Sequence, residues 1–215
     1  MGAIARAAAN NITTSGVFTS SAIANSSVTG ITVLANASDG ITLISSQTAS
    51  NSASISFTTG LDSTYKAYKF VFSAIHPRTD NVNFQFNMST DSGSNYNVTK
   101  TTTLFRPYND EPDTGADLYY DTGYDLAQST AFQNISTDVG NGADESSAGS
   151  MSLFNPSSTT YVKHFISTIH QYQYVNYAQT IYTAGYGNTT SAVNAVQFKM
   201  SSGNFDGTIY LYGIK

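Results

Sequence analysis

The stretch VNFQFNMS, Val82 to Ser89, alternates apolar and polar residues without a break: Val82, Phe84, Phe86 and Met88 share one parity, Asn83, Gln85 and Asn87 the other. Successive side chains of a strand point to opposite faces, so this pattern predicts a half-buried β-strand with the first set inward. Turn-forming HPRTDN precedes it and TDSGSN follows. The same reading places strands at Val98–Phe105, Ser150–Phe154, Val162–Gln171, Gln179–Ala184, Val193–Met200 and Thr208–Ile214. YKAYKFVFSAI, Tyr65 to Ile75, is apolar on both parities, as a strand covered on both sides would be. In the last strand Ile209 and Leu211 are expected to face the core, opposite Tyr210, Tyr212 and Ile214. A weak 3.6-residue period predicts one short helix near Asp125–Ile135, and residues 106–126 and 134–149, rich in Asp, Gly, Asn and Ser, read as long loops. Many short strands punctuated by turns predict an all-β fold, a jelly-roll-like antiparallel β-sandwich over residues 46–215.

The first 45 residues differ in texture. Small residues dominate and tyrosine is missing, while GITVL, Gly30 to Leu34, recurs as GITLI, Gly40 to Ile44. Ile31, Val33, Ile41 and Leu43 are spaced for short strands that could not offset the ~1–2 kcal/mol per residue of backbone entropy alone. An extended N-terminal arm is expected, ordered by donation to the sheet edge of a neighbouring subunit. A closed ring would let every copy give and receive it, with a trimer preferred.

Charged residues are 11% of the chain and the formal charge is −5. That balance supplies no basic stripe for phosphates, so nucleic acid is not an expected partner, and no apolar run is long enough for a spanning helix. Cysteine is absent, which excludes disulfides, thiolate metal sites and a cysteine nucleophile. DTGAD at Asp113, echoed by DTG at Asp121, carries the tripeptide of aspartic proteases. The two copies are eight residues apart, too close for two facing lobes. Asp113→Asn and Asp121→Asn are therefore expected to alter only surface charge. Asp110, Glu111, Asp113, Asp117, Asp121 and Asp125 crowd one segment without the spacing of a helix–loop–helix calcium loop, and a solvated acidic loop is expected. His164 and His170 share a strand face but are separated by roughly 20 Å of strand, too far to share a metal. No metal, cofactor or catalytic residue is assigned. The remaining feature is HQYQYVNYAQTIYTAGY, which sets Tyr172, Tyr174 and Tyr177 beside amides and marks them as a candidate surface for a glycan or a neighbouring subunit.

The runs TLISSQTASNSASISFTTGLDSTYKAYKFVFSAIHPRTDNVNFQFNMSTDSGSNYN, LFNPSSTTYVKHFISTIH and NAVQFKMSSGNFDGTIYLYGIK resemble a family of structural proteins of tailed bacteriophages, common in marine phages and described as virion structural or tail-fibre-like. The resemblance covers most of Thr42 to Lys215. It implies a β-sandwich component of the virion, assembled in the host cytoplasm, and carries over no active-site residues. The combined expectation is a non-enzymatic, homo-oligomeric protein that decorates the capsid or a tail appendage through residues 1–45. The alternative is a receptor- or carbohydrate-binding tip that contacts a host surface glycan.

Overall fold

The structure, a computed structural model, describes residues 40–215. Their regular structure is entirely β: β1 (Ile41–Ser52), β2 (Ile55–Phe57), β3 (Ala67–Pro77), β4 (Val82–Ser89), β5 (Lys100–Asp110), β6 (Ala116–Tyr120), β7 (Gln133–Val139), β8 (Ser147–Phe154), β9 (Lys163–Gln173), β10 (Tyr177–Gly187), β11 (Ala195–Met200) and β12 (Phe205–Ile214).

Four antiparallel pairs are nested in the chain, β1 with β12, β2 with β11, β3 with β8 and β4 with β7. Rolling that ribbon brings β12 against β3 and β11 against β4, giving the sheets β1-β12-β3-β8 and β2-β11-β4-β7. This is the eight-stranded double sheet of a jelly roll, as expected from the sequence. Two hairpins are inserted into it: β5–β6 between β4 and β7, and β9–β10 between β8 and β11. They pair with each other and with β8, extending the first sheet to β1-β12-β3-β8-β9-β10-β5-β6. A single bridged pair, Val139 with Gln173, joins β7 to β9 and links the two sheets at one side.

The jelly-roll interior is aromatic. Phe198 on β11 contacts rings of the opposite sheet, Phe70 at 5.1 Å and Phe72 at 5.2 Å, both edge-on, and packs beside Phe84 of its own sheet at 5.9 Å. Phe86 meets Phe165 across the sandwich at 4.8 Å. Edge-to-face rings satisfy the ring quadrupoles as well as removing apolar area from water. Val82, Phe84, Phe86 and Met88 all face this core, and so do Ile209 and Leu211, both at 0% exposure.

Beneath the inserted hairpins the interior changes character. Beside Phe165, Ile169 and Ile181, the inward positions of β9 and β10 carry Ser167, Gln171, Gln173, Gln179 and Thr183, all buried, with Gln133, Ser136 and Thr137 buried on β7. They bond to one another: Thr102 donates to Gln133 Oε1 at 2.6 Å, Gln171 Nε2 to Gln179 Oε1 at 3.0 Å, and Ser136 pairs with Gln171. Buried amides and hydroxyls are tolerable only when paired in this way.

Several expectations are corrected. No helix forms near Asp125–Ile135: the chain turns there and enters β7 at Gln133, because Gln133, Ile135 and Val139 bury themselves between β4 and β9. The span 106–126 is not one loop, since β5 runs on to Asp110 and folds back as β6, and 134–149 is likewise largely β7 and the start of β8. Polar inward residues hid these strands from a hydrophobic pattern. Gly40–Ile44 opens a twelve-residue strand, β1, rather than standing as a short unit. Ile41 and Leu43, expected in the arm, pair with Ile214 and Tyr212 of the same chain, so the expected boundary at residue 45 falls inside β1. Ile31 and Val33 lie outside the described residues. β3 is covered on one side only: Tyr68, Phe70 and Phe72 are buried, while Lys69 and Val71 are half-buried on the outer face.

Candidate interaction face

The outer face of the eight-stranded sheet is where the apolar excess of the sequence ends up. Register places Ser46, Tyr210, Val71, Ser150, Thr168, Tyr182, Phe105 and Tyr120 in one row across all eight strands. The next row carries Leu43, Tyr212, Lys69, Ser152, Ile166, Ala184 and Thr103. Exposed here are Ile166 at 55%, Leu118 at 63% and Tyr120 at 49%, together with Phe105, Phe154 and Tyr182. Single exposed apolar residues are ordinary, but several in adjacent register rows make this face a candidate contact surface.

Relief on this face comes from residue size. On β10 the outward residues run Tyr182, Ala184, Tyr186, so a small side chain sits between two large ones. Tyr182 is held by stacking on Phe105, centroids 4.8 Å apart and planes 8° from parallel, and Tyr186 meets His164 edge-on at 6.2 Å. The result is a groove of about 450 Å³ bordered by Thr101, Thr103, His164, Ile166, Ala184 and Tyr186. A hollow of about 130 Å³ continues it past Phe105 and Tyr182. A third depression, about 220 Å³, lies farther along the same face at Glu111, His170, Tyr172 and Ala178.

The three tyrosines singled out by sequence do not form one patch. Tyr172 lies on the outer face opposite Ala178, and its hydroxyl donates to Glu111 Oε1 at 2.9 Å, a bond that raises its pKa. Tyr177 pairs with Gln173 and therefore points to the other side, where it stacks on Tyr108 at 4.9 Å. Tyr174 is exposed in the turn between them. Tyr172 and Tyr177 are five positions apart across a tight hairpin in which Tyr177 pairs with Gln173, and that odd offset sends them to opposite faces. Phe105 was missed; Leu118 and Tyr120 lie in the 106–126 segment, and Tyr182 and Tyr186 in the tyrosine-rich stretch, without having been singled out. The signal that could have found them is the outward parity of apolar residues on strands that already had an inward set.

The acidic segment is spent on structure. Asp110 closes the β5–β6 turn, accepting from the N–H groups of Thr114 and Gly115 and from the Thr114 hydroxyl at 2.6 Å; these bonds hold its carboxyl below the usual range. Asp125 accepts from Tyr120. Asp121 pairs with the buried Arg106 at 2.7 Å, and Asp138 pairs with the same guanidinium at 2.6 Å. Tyr119 and Tyr124 flank that guanidinium, each ring centroid 5.1 Å from it. Asp113 stands exposed at the hairpin tip, so the two DTG copies do not face one another as a catalytic pair. Among the described residues no group of three or more His, Asp or Glu is placed to hold a metal ion. His164 and His170 are both exposed on the outer face, and His170 Nδ1 lies 3.0 Å from the Thr180 hydroxyl.

No family model matches the chain, and neither a curated protein nor a solved structure matches it.

Proposed function

We propose that the chain is a non-enzymatic structural protein of a tailed-bacteriophage particle, decorating the capsid or a tail appendage, and that it meets its neighbours through the outer face of β9, β10, β5 and β6. The observation that supports this reading is that face: a sheet surface with few charges on which Phe105, Leu118, Tyr120, Ile166 and Tyr182 are left in water. The sequence resemblance supplies the particle. A homo-oligomer, with a trimer preferred, is part of the proposal. Mass spectrometry of gradient-purified particles should detect the chain at a fixed copy number. Ile166→Asp, which puts a charge where nothing in the fold is disturbed, should leave unfolding unchanged and prevent incorporation. Absence of the chain from particles ends the proposal.

A second reading, a carbohydrate-binding tip, draws support from the groove beside Tyr186, whose ring and neighbouring Thr101 and Thr103 hydroxyls suit a neutral sugar. Adsorption of the isolated protein to host cells, lost in Tyr186→Ala, favours it. No adsorption at micromolar concentration excludes it.

A further inference from the structure

Lys100 is wholly buried and has no carboxylate partner. Its Nζ donates to Oδ1 of Asn87 at 2.5 Å and to the Val98 carbonyl at 2.8 Å. Asn87 is also at 0% exposure, and its carboxamide is fixed on every side: Oδ1 accepts the Met88 N–H at 2.8 Å, while Nδ2 donates to the carbonyls of Tyr96 at 2.7 Å and Thr130 at 2.9 Å. A lysine in water is protonated and inert as a nucleophile. Burial pushes Lys100 down to about 7, so at neutral pH much of it is free amine. An amine nucleophile and a carboxamide whose oxygen already faces an N–H donor are thus held in contact, without water between them.

We propose that Lys100 and Asn87 join as an intramolecular isopeptide cross-link between β4 and β5. The Nζ lone pair attacks Cγ of Asn87 and a C–N bond forms, while the Met88 N–H stabilises the negative charge that develops on Oδ1. A proton passes from Nζ to Nδ2, the Cγ–Nδ2 bond breaks, and ammonia leaves. The product is a secondary amide; nothing is oxidised or reduced and no co-reactant is consumed. No carboxylic acid assists the proton transfer, so the bond accumulates slowly after folding. It ties the jelly roll to the first inserted hairpin at the point where that hairpin leaves it. This is a covalent brace in a chain without cysteine.

Lys163 provides an internal control. Its side chain is also at 0% exposure, but its Nζ lies in a less enclosed setting and donates to the carbonyls of Tyr161 at 2.6 Å and Thr189 at 3.2 Å, not to a carboxamide.

The test is intact mass followed by tryptic mapping of the denatured full chain, sampled during incubation at about pH 6 and about pH 8. The expected result is a species lighter by one ammonia, loss of cleavage after Lys100 with cleavage after Lys163 retained, and fragment ions joining Asn87 to Lys100. Formation should be about tenfold faster at the higher pH, following the free-amine fraction. Lys100→Arg and Asn87→Ala should keep their full calculated masses. If either fails to fold, the wild-type map decides by itself. Retained cleavage after Lys100 overturns the proposal, including where ammonia is lost, because a cyclic imide at an asparagine gives the same mass change with Lys100 free.

Discussion

Asp121→Asn removes a charge from the Arg106 cluster while keeping its shape. Arg106 is 8% exposed and divides its guanidinium between Asp121 and Asp138, with Thr137 accepting a further bond from Nη1. A charge pair about 4 Å apart in a medium of effective dielectric near 20 attracts by about 4 kcal/mol, but each carboxylate gave up hydration to be there. Stranding a buried charge altogether costs about 3–5 kcal/mol. Asp121→Asn leaves Arg106 its second carboxylate, so the expected loss is about 1–3 kcal/mol. Asp138→Asn leaves Asp121 in place but also weakens the acceptor of the Tyr124 hydroxyl, at 3.1 Å, and should cost about 2–4 kcal/mol. Asp113→Asn should stay within about 0.5 kcal/mol, since Asp113 is exposed and asparagine accepts its φ of 54°. Urea unfolding followed by far-ultraviolet circular dichroism and tyrosine fluorescence, the chain having no tryptophan, measures all three. The sequence alone predicted that Asp113→Asn and Asp121→Asn would be alike. Coincident midpoints for these two variants would refute the argument that Arg106 pins β6 to the domain.

Leu211→Ala should cost about 2–5 kcal/mol in the same assay, as a large-to-small change at a site of 0% exposure, and a loss under about 1 kcal/mol would remove Leu211 from the core. Tyr124 is pushed up to about 12, by burial first and then by Asp138. Its neutral form therefore stabilises the fold fully below pH 10, and that contribution disappears as pH rises from 10 toward 12; unfolding midpoints taken across this range should fall less in Tyr124→Phe than in the parent. Removing residues 1–39 should block incorporation into particles. Removal through residue 45 should lower the thermal midpoint below that of the 1–39 truncation, because it takes the Ile41, Thr42, Leu43 and Ser45 pairings from the β1–β12 ladder; equal midpoints for the two truncations would count against β1.

The jelly roll was legible because its strands obey the simplest rule. Val82 to Met88 and Ile209 to Leu211 put phenylalanine, isoleucine and leucine on the inward parity, and their burial is what the pattern foretells. β6, β7 and the far half of β5 were not legible, because polar groups hold much of their inner side: Arg106 and Tyr108 on β5, the half-buried Tyr119 on β6, and Gln133, Ser136 and Thr137 beside Ile135 and Val139 on β7. Hydrophobic periodicity cannot register a strand whose buried side is satisfied by hydrogen bonds and an ion cluster. The candidate face was half legible: the tyrosine-rich hairpin pointed to the correct strands, but which tyrosines share a side depends on the turn at Tyr174–Asn176. Lys100 and Asn87 gave no signal at all. Asn87 reads as an outward residue of an alternating strand, and its burial at 0% exposure overturns that reading.

The polar interior beneath the inserted hairpins bears on how the outer face could work. Apolar contacts are non-directional and tolerate small shifts, whereas Gln171 is held at once by Ser136, the Thr137 carbonyl and Gln179, and Gln133 by Thr102 and the carbonyls of Tyr124 and Asn134. A one-residue slip of β9 or β10 would unpair these amides and bury them unsatisfied, at about 1–3 kcal/mol each. Among the described residues only Arg106 Nε, Ser167 Oγ and Gln173 Oε1 are buried side-chain polar atoms without a protein partner, so the network is close to complete. Register on the inner side fixes register on the outer side, because both belong to the same strands. Tyr182 is thereby kept over Phe105, and Ala184 is kept between Ile166 and Thr103. A surface ordered before contact loses little side-chain and backbone freedom when a partner covers it, which is the condition under which a sheet face with few charges can bind with useful strength.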